Sequence, residues 1–459
     1  MIRPIKKKIV QLLNKGNERT VLTKKNIFAS FGIKILTIFM TMMLMPLTIG
    51  YVNEERNGIW FTMTNMVMWI AIFDFGLGSG LKNKYAEAKA KGDMLLAKKY
   101  VSSTYAIIGL LWLIVFAVFS LINPFLDWSA IFPKVSPEYL QELYETTWIV
   151  VFSFGTLFVV KLLSNIVIAD QRPAIASLID MFGQLLTLIG VFLLAKLTPA
   201  SLPKLGFVAG FSPVIVFLIA SVYLFSTRYK EVRPSFRFVD FKLGKVLLNL
   251  GLKFFVLTIA AFVVSTTLSY LITYIVNPAE TTKYNVSFKL FSILMNVLAI
   301  VIIPYWSAFT DAHTLKDYKW MQESVKNLRK FFGYFLILQL IILALSPVLY
   351  YFWINIWLKD EVLDISFWMS LVVCLYVCSM VWLDLNIYPI NGTGKIKLQL
   401  YSALFEMVCF IPLAVYLGNR IGVIGIIMAP VIIYIPRMIW APIQLNKLVK
   451  GNAEGIWNK

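Results

Sequence analysis

Apolar runs of about twenty residues recur along this chain, and no other feature constrains its fold as strongly. Wound as a helix at about 1.5 Å per residue, such a run crosses a hydrocarbon core of about 30 Å. Twelve are legible: residues 26–48, 58–77, 101–121, 146–169, 174–197, 206–225, 250–276, 282–304, 331–352, 366–388, 398–416 and 421–440. Hydrocarbon offers no partner to a free peptide group, so each run is predicted to be helical. The expected fold class is an all-α membrane protein of about twelve transmembrane helices.

Composition narrows the function. The 459 residues are 59% hydrophobic and 15% charged, with a mean hydropathy of +0.76. A soluble core of that size does not hide so much apolar surface. A net charge of +19 would by itself suggest nucleic acid, but the cations stand in short segments between apolar runs, so no nucleic-acid partner is expected. These segments alternate. Arg3, Lys6, Lys7, Lys8, Lys24 and Lys25 precede the first run; Lys82, Lys84, Lys89, Lys91, Lys98 and Lys99 follow the second; Arg228, Lys230, Arg233, Arg237, Lys242 and Lys245 follow the sixth. Intervening loops carry Glu54, Glu55, Glu138, Glu142, Asp360 and Asp364 instead. The positive-inside rule then places both termini in the cytoplasm, in a bacterial inner membrane. Residues 1–25 do not read as a signal peptide, because no short apolar stretch ends in a small-residue cleavage site. The three cysteines, Cys374, Cys378 and Cys409, lie inside apolar runs and read as small buried hydrophobes. No metal site and no disulfide framework is expected.

The basic connection 226–246 divides the chain. It separates a six-helix bundle at 26–225 from a second at 247–440, with a basic segment 1–25 before and a tail 441–459 after. Phe31-Gly32-Ile33-Lys34 in the first run is echoed by Leu250-Gly251-Leu252-Lys253 in the seventh. The turns Asp170-Gln171-Arg172-Pro173 and Asn391-Gly392-Thr393-Gly394 fall between the fourth and fifth runs of their halves. Two six-run units that start on the same side are parallel repeats about an axis normal to the membrane. They are expected to enclose a central cavity and to rock around it.

Ionisable groups inside the membrane cost at least about 2.5–3.5 kcal/mol each and are usually retained for a function. Lys34, Lys161, Lys253 and Lys289 lie well inside their runs. A cavity lined by their ammonium groups would attract an anionic headgroup; the competing reading is that their long stems carry the charge to the interface. Asp74, Asp180, Asp384 and Glu406 are the intramembrane acids, candidates for charge pairing or for coupling to a proton or sodium gradient. No catalytic residue and no cofactor is indicated. Gly392-Thr393-Gly394-Lys395 lacks the first glycine and the Ser/Thr of a phosphate loop, and Asp74-Phe75-Gly76 has no kinase partners.

Gly58-Ile59-Trp60 opens the second run, and Asp74-Phe75-Gly76-Leu77-Gly78-Ser79-Gly80 closes it. A basic amphipathic stretch with Glu87, Lys91-Gly92-Asp93 and Lys98-Lys99 follows. Residues 49–101 thereby resemble the Wzx-type polysaccharide flippases of the multidrug/oligosaccharidyl-lipid/polysaccharide (MOP) exporter superfamily. One departure is Asn53, where that family often has glycine; asparagine tolerates positive φ, so the turn is expected to survive. The resemblance implies a MATE-like fold and an undecaprenyl-pyrophosphate-linked sugar repeat unit as substrate, for O-antigen, capsule or exopolysaccharide. It also implies membrane lipid and other polysaccharide-assembly proteins as partners. Three alternatives stay open. A MATE-like exporter of cationic drugs should present acids rather than lysines. A lipid II flippase should have about fourteen spans. A membrane polysaccharide polymerase should carry convergent catalytic groups on a sizeable outer loop.

Overall fold

The computed structural model describes residues 18–69, 77–170, 172–356 and 363–458, and within them every regular element is helical. Inner and outer denote here the lysine-rich and lysine-poor ends of the helices.

Helix α1 (Glu18–Val52) runs outward to a tight turn at Asn53, whose φ is 76°. The Asn53 side chain accepts from the Arg56 N–H at 3.0 Å and caps α2 (Glu54–Val67), so the turn forms without glycine. Residues 70–76, and Asp74 with them, lie outside the described residues. The basic stretch that follows is an inner helix, α3 (Leu77–Ala90). Asp93 then caps α4 (Met94–Ile122) by accepting from the Leu96 N–H at 2.8 Å. A small outer cap, including α5 (Trp128–Ile131), leads to α6 (Leu140–Val160) and α7 (Leu162–Ala169), two pieces of one rod broken at Lys161. Helices α8 (Pro173–Leu197) and α9 (Leu202–Ser226) complete the first half.

The linker contains two short 3₁₀ turns and opens into α10 (Lys242–Ile275). Next come α11 (Pro278–Thr314), α12 (Tyr318–Tyr350) with a π turn at Tyr351–Asn355, and α13 (Phe367–Thr393). Helix α14 (Lys397–Val449) is two antiparallel limbs: Ile421 leaves helical geometry and Gly422 takes a φ of 65°, which a glycine adopts at no steric cost. Six rods per half give the twelve-helix architecture expected from the apolar runs. Several rods outrun those runs, α11 and α12 most clearly, because hydropathy marks the hydrocarbon and polar ends continue the hydrogen-bond ladder into the interface.

Among the described residues, eight helices are long and apolar enough to cross a membrane, with α14 counted as one. Only 11% of the most apolar window of α4 is buried against protein, compared with 67% for α13. Helix α4 therefore rims the first half, whereas α13 is central to the second. Leu113, Leu121, Leu197 and Val222 are 62–75% exposed, a surface that only lipid covers without penalty. The first half packs around an inner cluster with Tyr85, Leu163 and Phe217 and an outer one with Trp60, Trp112 and Val191. In the second half one large cluster with Phe291, Tyr376, Phe410 and Ile426 spans most of the bundle.

Candidate functional site

The halves meet along α2, α10 and α11. Gly58 lets the α2 backbone touch Pro278, where a Cβ would collide with the Pro278 carbonyl. Next to it, the Thr62 and Thr273 hydroxyls bond at 2.5 Å and Thr273 bonds Thr281 at 2.8 Å. Asn65 Nδ2 donates to Ser269 Oγ at 2.9 Å, and Thr282 Oγ1 donates to the Glu54 carbonyl at 2.7 Å. A further bond crosses from the end of the ninth rod, where Trp353 Nε1 donates to the Met42 carbonyl at 2.8 Å. Pro46 has no N–H to return to Met42, so the indole occupies a rung that proline vacates. These contacts close the outer half of the seam with neutral hydrogen bonds, each worth about 0.5–1.5 kcal/mol net.

Lys289 lies at this seam. It is half-buried on α11, with its ammonium 5.4 Å from the centroid of the Phe61 ring on α2. Lys34 is exposed on α1. Lys253 belongs to α10, but its side chain lies outside the described set.

In the first half, a cavity of about 360 Å³ opens between α3, α6, α7 and α8, lined by Gly78, Lys161, Asn165, Ser177 and Asp180. Lys161 sits at the break between α6 and α7 and pairs with Asp180 at 3.2 Å; their side chains are 51% and 45% exposed. In the second half, a cavity of about 260 Å³ is lined by Asp384 of α13 and by Gln399, Glu406, Tyr434 and Arg437 of α14. Arg437 and Glu406 pair at 2.9 Å with side chains only 16% and 5% exposed, and the guanidinium lies 5.0 Å from the Tyr434 ring centroid. Among the described residues, the buried Glu406 Oε1, Arg437 Nε and Gln399 Oε1 have no hydrogen-bond partner. Both cavities touch the fourth and fifth rods of their half, but the pairs differ: Lys161 and Asp180 join the fourth rod to the fifth, whereas Glu406 and Arg437 join the fifth, the first limb of α14, to the sixth, its second limb.

The structure thus brings Lys161 to Asp180 and Asp384 to Glu406, and sets Lys289 apart at the seam. Arg437 was not among the residues singled out from sequence. It stands within the twelfth apolar run, and a search extended from lysines and acids to arginines would have found it.

At the inner end, Asp170 gathers three segments. Its carboxylate accepts from Lys89, from Arg228 Nε at 3.1 Å and from the Tyr229 hydroxyl at 3.0 Å, with Arg172 3.5 Å away. Burial pulls its pKa upward, but the bonds from Lys89 and Arg228 outweigh burial and hold it below the ordinary value.

No protein-family profile matches the chain. A Salmonella typhimurium protein named as a candidate O-antigen transporter is 20% identical over 410 residues, 88% of this chain and 91% of its own length. A Salmonella typhi protein of the same name is 25% identical over 262 residues, 55% of this chain and 57% of its own. Among solved structures, an inward-facing multidrug resistance MATE family transporter of the MOP superfamily superposes with a TM-score of 0.74 at 13% identity, covering 93% of this chain and 100% of that one. An outward-facing MATE family transporter gives 0.61 at 15% identity, covering 96% and 98%. The fold is that of the MATE transporters, and the resemblance read from residues 49–101 agrees with relatives named for O-antigen transport. The chain is a multi-pass membrane protein, and the curated relatives it matches are named as transporters.

Proposed function

We propose that the chain flips an undecaprenyl-pyrophosphate-linked oligosaccharide repeat unit from the inner to the outer leaflet of a bacterial inner membrane, with both termini cytoplasmic. The observation that carries this reading is the pairing of two helical bundles that are hydrogen-bonded across their outer half. Each bundle also holds charged side chains in a cavity at its fourth and fifth rods, which in the second bundle extends to the sixth. Such a seam suits alternating access, because neutral bonds are exchanged for water at little cost when the outer side opens. Lys161 is accessible, and its partner Asp180 is accessible as well, so an incoming pyrophosphate can compete for the ammonium. Lys34 is equally open to the headgroup. Sugars follow the headgroup through the space between the halves while the polyprenyl tail stays in lipid. An inside-negative potential favours outward movement of an anion by about 2.3 kcal/mol per charge per 100 mV, so coupling to protons or sodium is an addition rather than a necessity.

The test is Lys34→Ala combined with Lys161→Ala in cells that make a lipid-linked repeat unit. The expected result is repeat units held on the cytoplasmic leaflet with protein abundance unchanged. Normal export in that double variant would reject the headgroup role.

A further inference from the structure

The linker between the halves has an arrangement that transport does not account for. Its backbone is fixed to α4: the Ser235 N–H donates to Ser102 Oγ at 3.1 Å and the Asp240 N–H to Ser103 Oγ at 2.9 Å. Tyr229 and Val232 are buried against the first half, and Lys98 sits 4.5 Å above the Phe238 ring. From this fixed strap Phe236 projects outward at 95% exposure and Phe241 at 61%. Exposed Arg233, Arg237 and Lys242 alternate with them. Between Arg228 and Lys242 five cations stand against two acids, Glu231 and Asp240.

Beneath the strap a groove of about 620 Å³ runs between α4 and α6, with Tyr105, Gly109, Thr156 and Val160 on its walls and Phe236 and Phe241 at its rim. It is open at Gly109, where a Cβ would meet nothing within 4 Å, and among the described residues the buried Tyr105 hydroxyl has no hydrogen-bond partner. Aromatic rings held rigidly at the lysine-rich end of a membrane helix insert at the lipid interface, and the cations beside them face the phosphates of the same leaflet.

We infer that this strap and groove form a binding site for one anionic phospholipid of the inner leaflet. Its phosphate is held by Arg233, Arg237 and Lys242, and one acyl chain lies over Gly109 between α4 and α6. The site belongs to the linker that joins the halves and is independent of the transported substrate.

The test uses the purified full-length protein in mixed micelles containing equal phosphatidylglycerol and phosphatidylcholine, with retained lipid counted by native mass spectrometry. The unaltered protein should retain phosphatidylglycerol at least about fivefold over phosphatidylcholine, the size expected when no more than one surface cation engages the anionic headgroup fully. The triple variant R233Q/R237Q/K242Q, altered only at exposed positions, should lose that preference. Gly109→Leu, which fills the groove, should lower retention of both lipids. Excess inorganic phosphate should leave bound lipid in place. Equal retention of the two lipids by the unaltered protein, preference kept by the triple variant, undiminished retention by Gly109→Leu or displacement by phosphate would each overturn the assignment.

Discussion

The two halves share a plan and differ in how they house charge. In the first, Lys161 and Asp180 meet across the fourth and fifth rods with about half of each side chain open. In the second, Glu406 and Arg437 meet with almost nothing open, beside the Asp384 carboxylate and under a tyrosine ring. Their cores follow suit, since the first half is divided into inner and outer clusters and the second is dominated by one. An open pair is cheap to part, because water solvates both members; a buried pair resists parting, because the abandoned charge has nowhere to go. The first half is therefore built to exchange partners and the second to keep them.

The comparison can be broken most forcefully at Arg437. Arg437→Met leaves Glu406 buried without its cation and should destabilise the protein by about 3–5 kcal/mol, seen as a lowered unfolding temperature in detergent. Adding Glu406→Gln should recover most of the loss. An unchanged unfolding temperature in the single variant would mean that the pair does not brace the second half. Gly58→Val, at the boundary of the two halves, should cost about 1–3 kcal/mol by forcing α2 away from Pro278. It should also raise the reactivity of a cysteine placed at Thr273 toward a membrane-impermeant reagent added from outside. The smallest effect is expected from the open pair. Lys161→Met and Asp180→Asn should each stay within about 0.5 kcal/mol of the unaltered protein in the same unfolding assay. A loss as large as that of Arg437→Met would erase the distinction.

Much of this was legible in the sequence, because the bilayer imposes one-dimensional rules. Run length gives the rods, loop charge gives their direction, and Asn53 alone suffices to read a turn that keeps positive φ without glycine. The site was legible only as a roster. Lys161 and Asp180 are nineteen residues apart and Glu406 and Arg437 thirty-one, so which charge meets which depends on the rotation of each rod, and periodicity leaves that open in helices apolar on nearly every face. The inner knot was hidden for a similar reason. Lys89, Asp170 and Arg228 belong to three separate connections, and only the packing of α3, α7 and α9 brings them to one carboxylate.

The break at Ile421 and Gly422 has a mechanical consequence. Glu406 and Arg437 stand sixteen and fifteen residues from Gly422, so at about 1.5 Å per residue they face each other at equal depth along two limbs joined by almost no slack. Rocking one half of the molecule against the other carries both limbs together and leaves that pair untouched. Only splaying the hairpin like a pair of tongs would separate it.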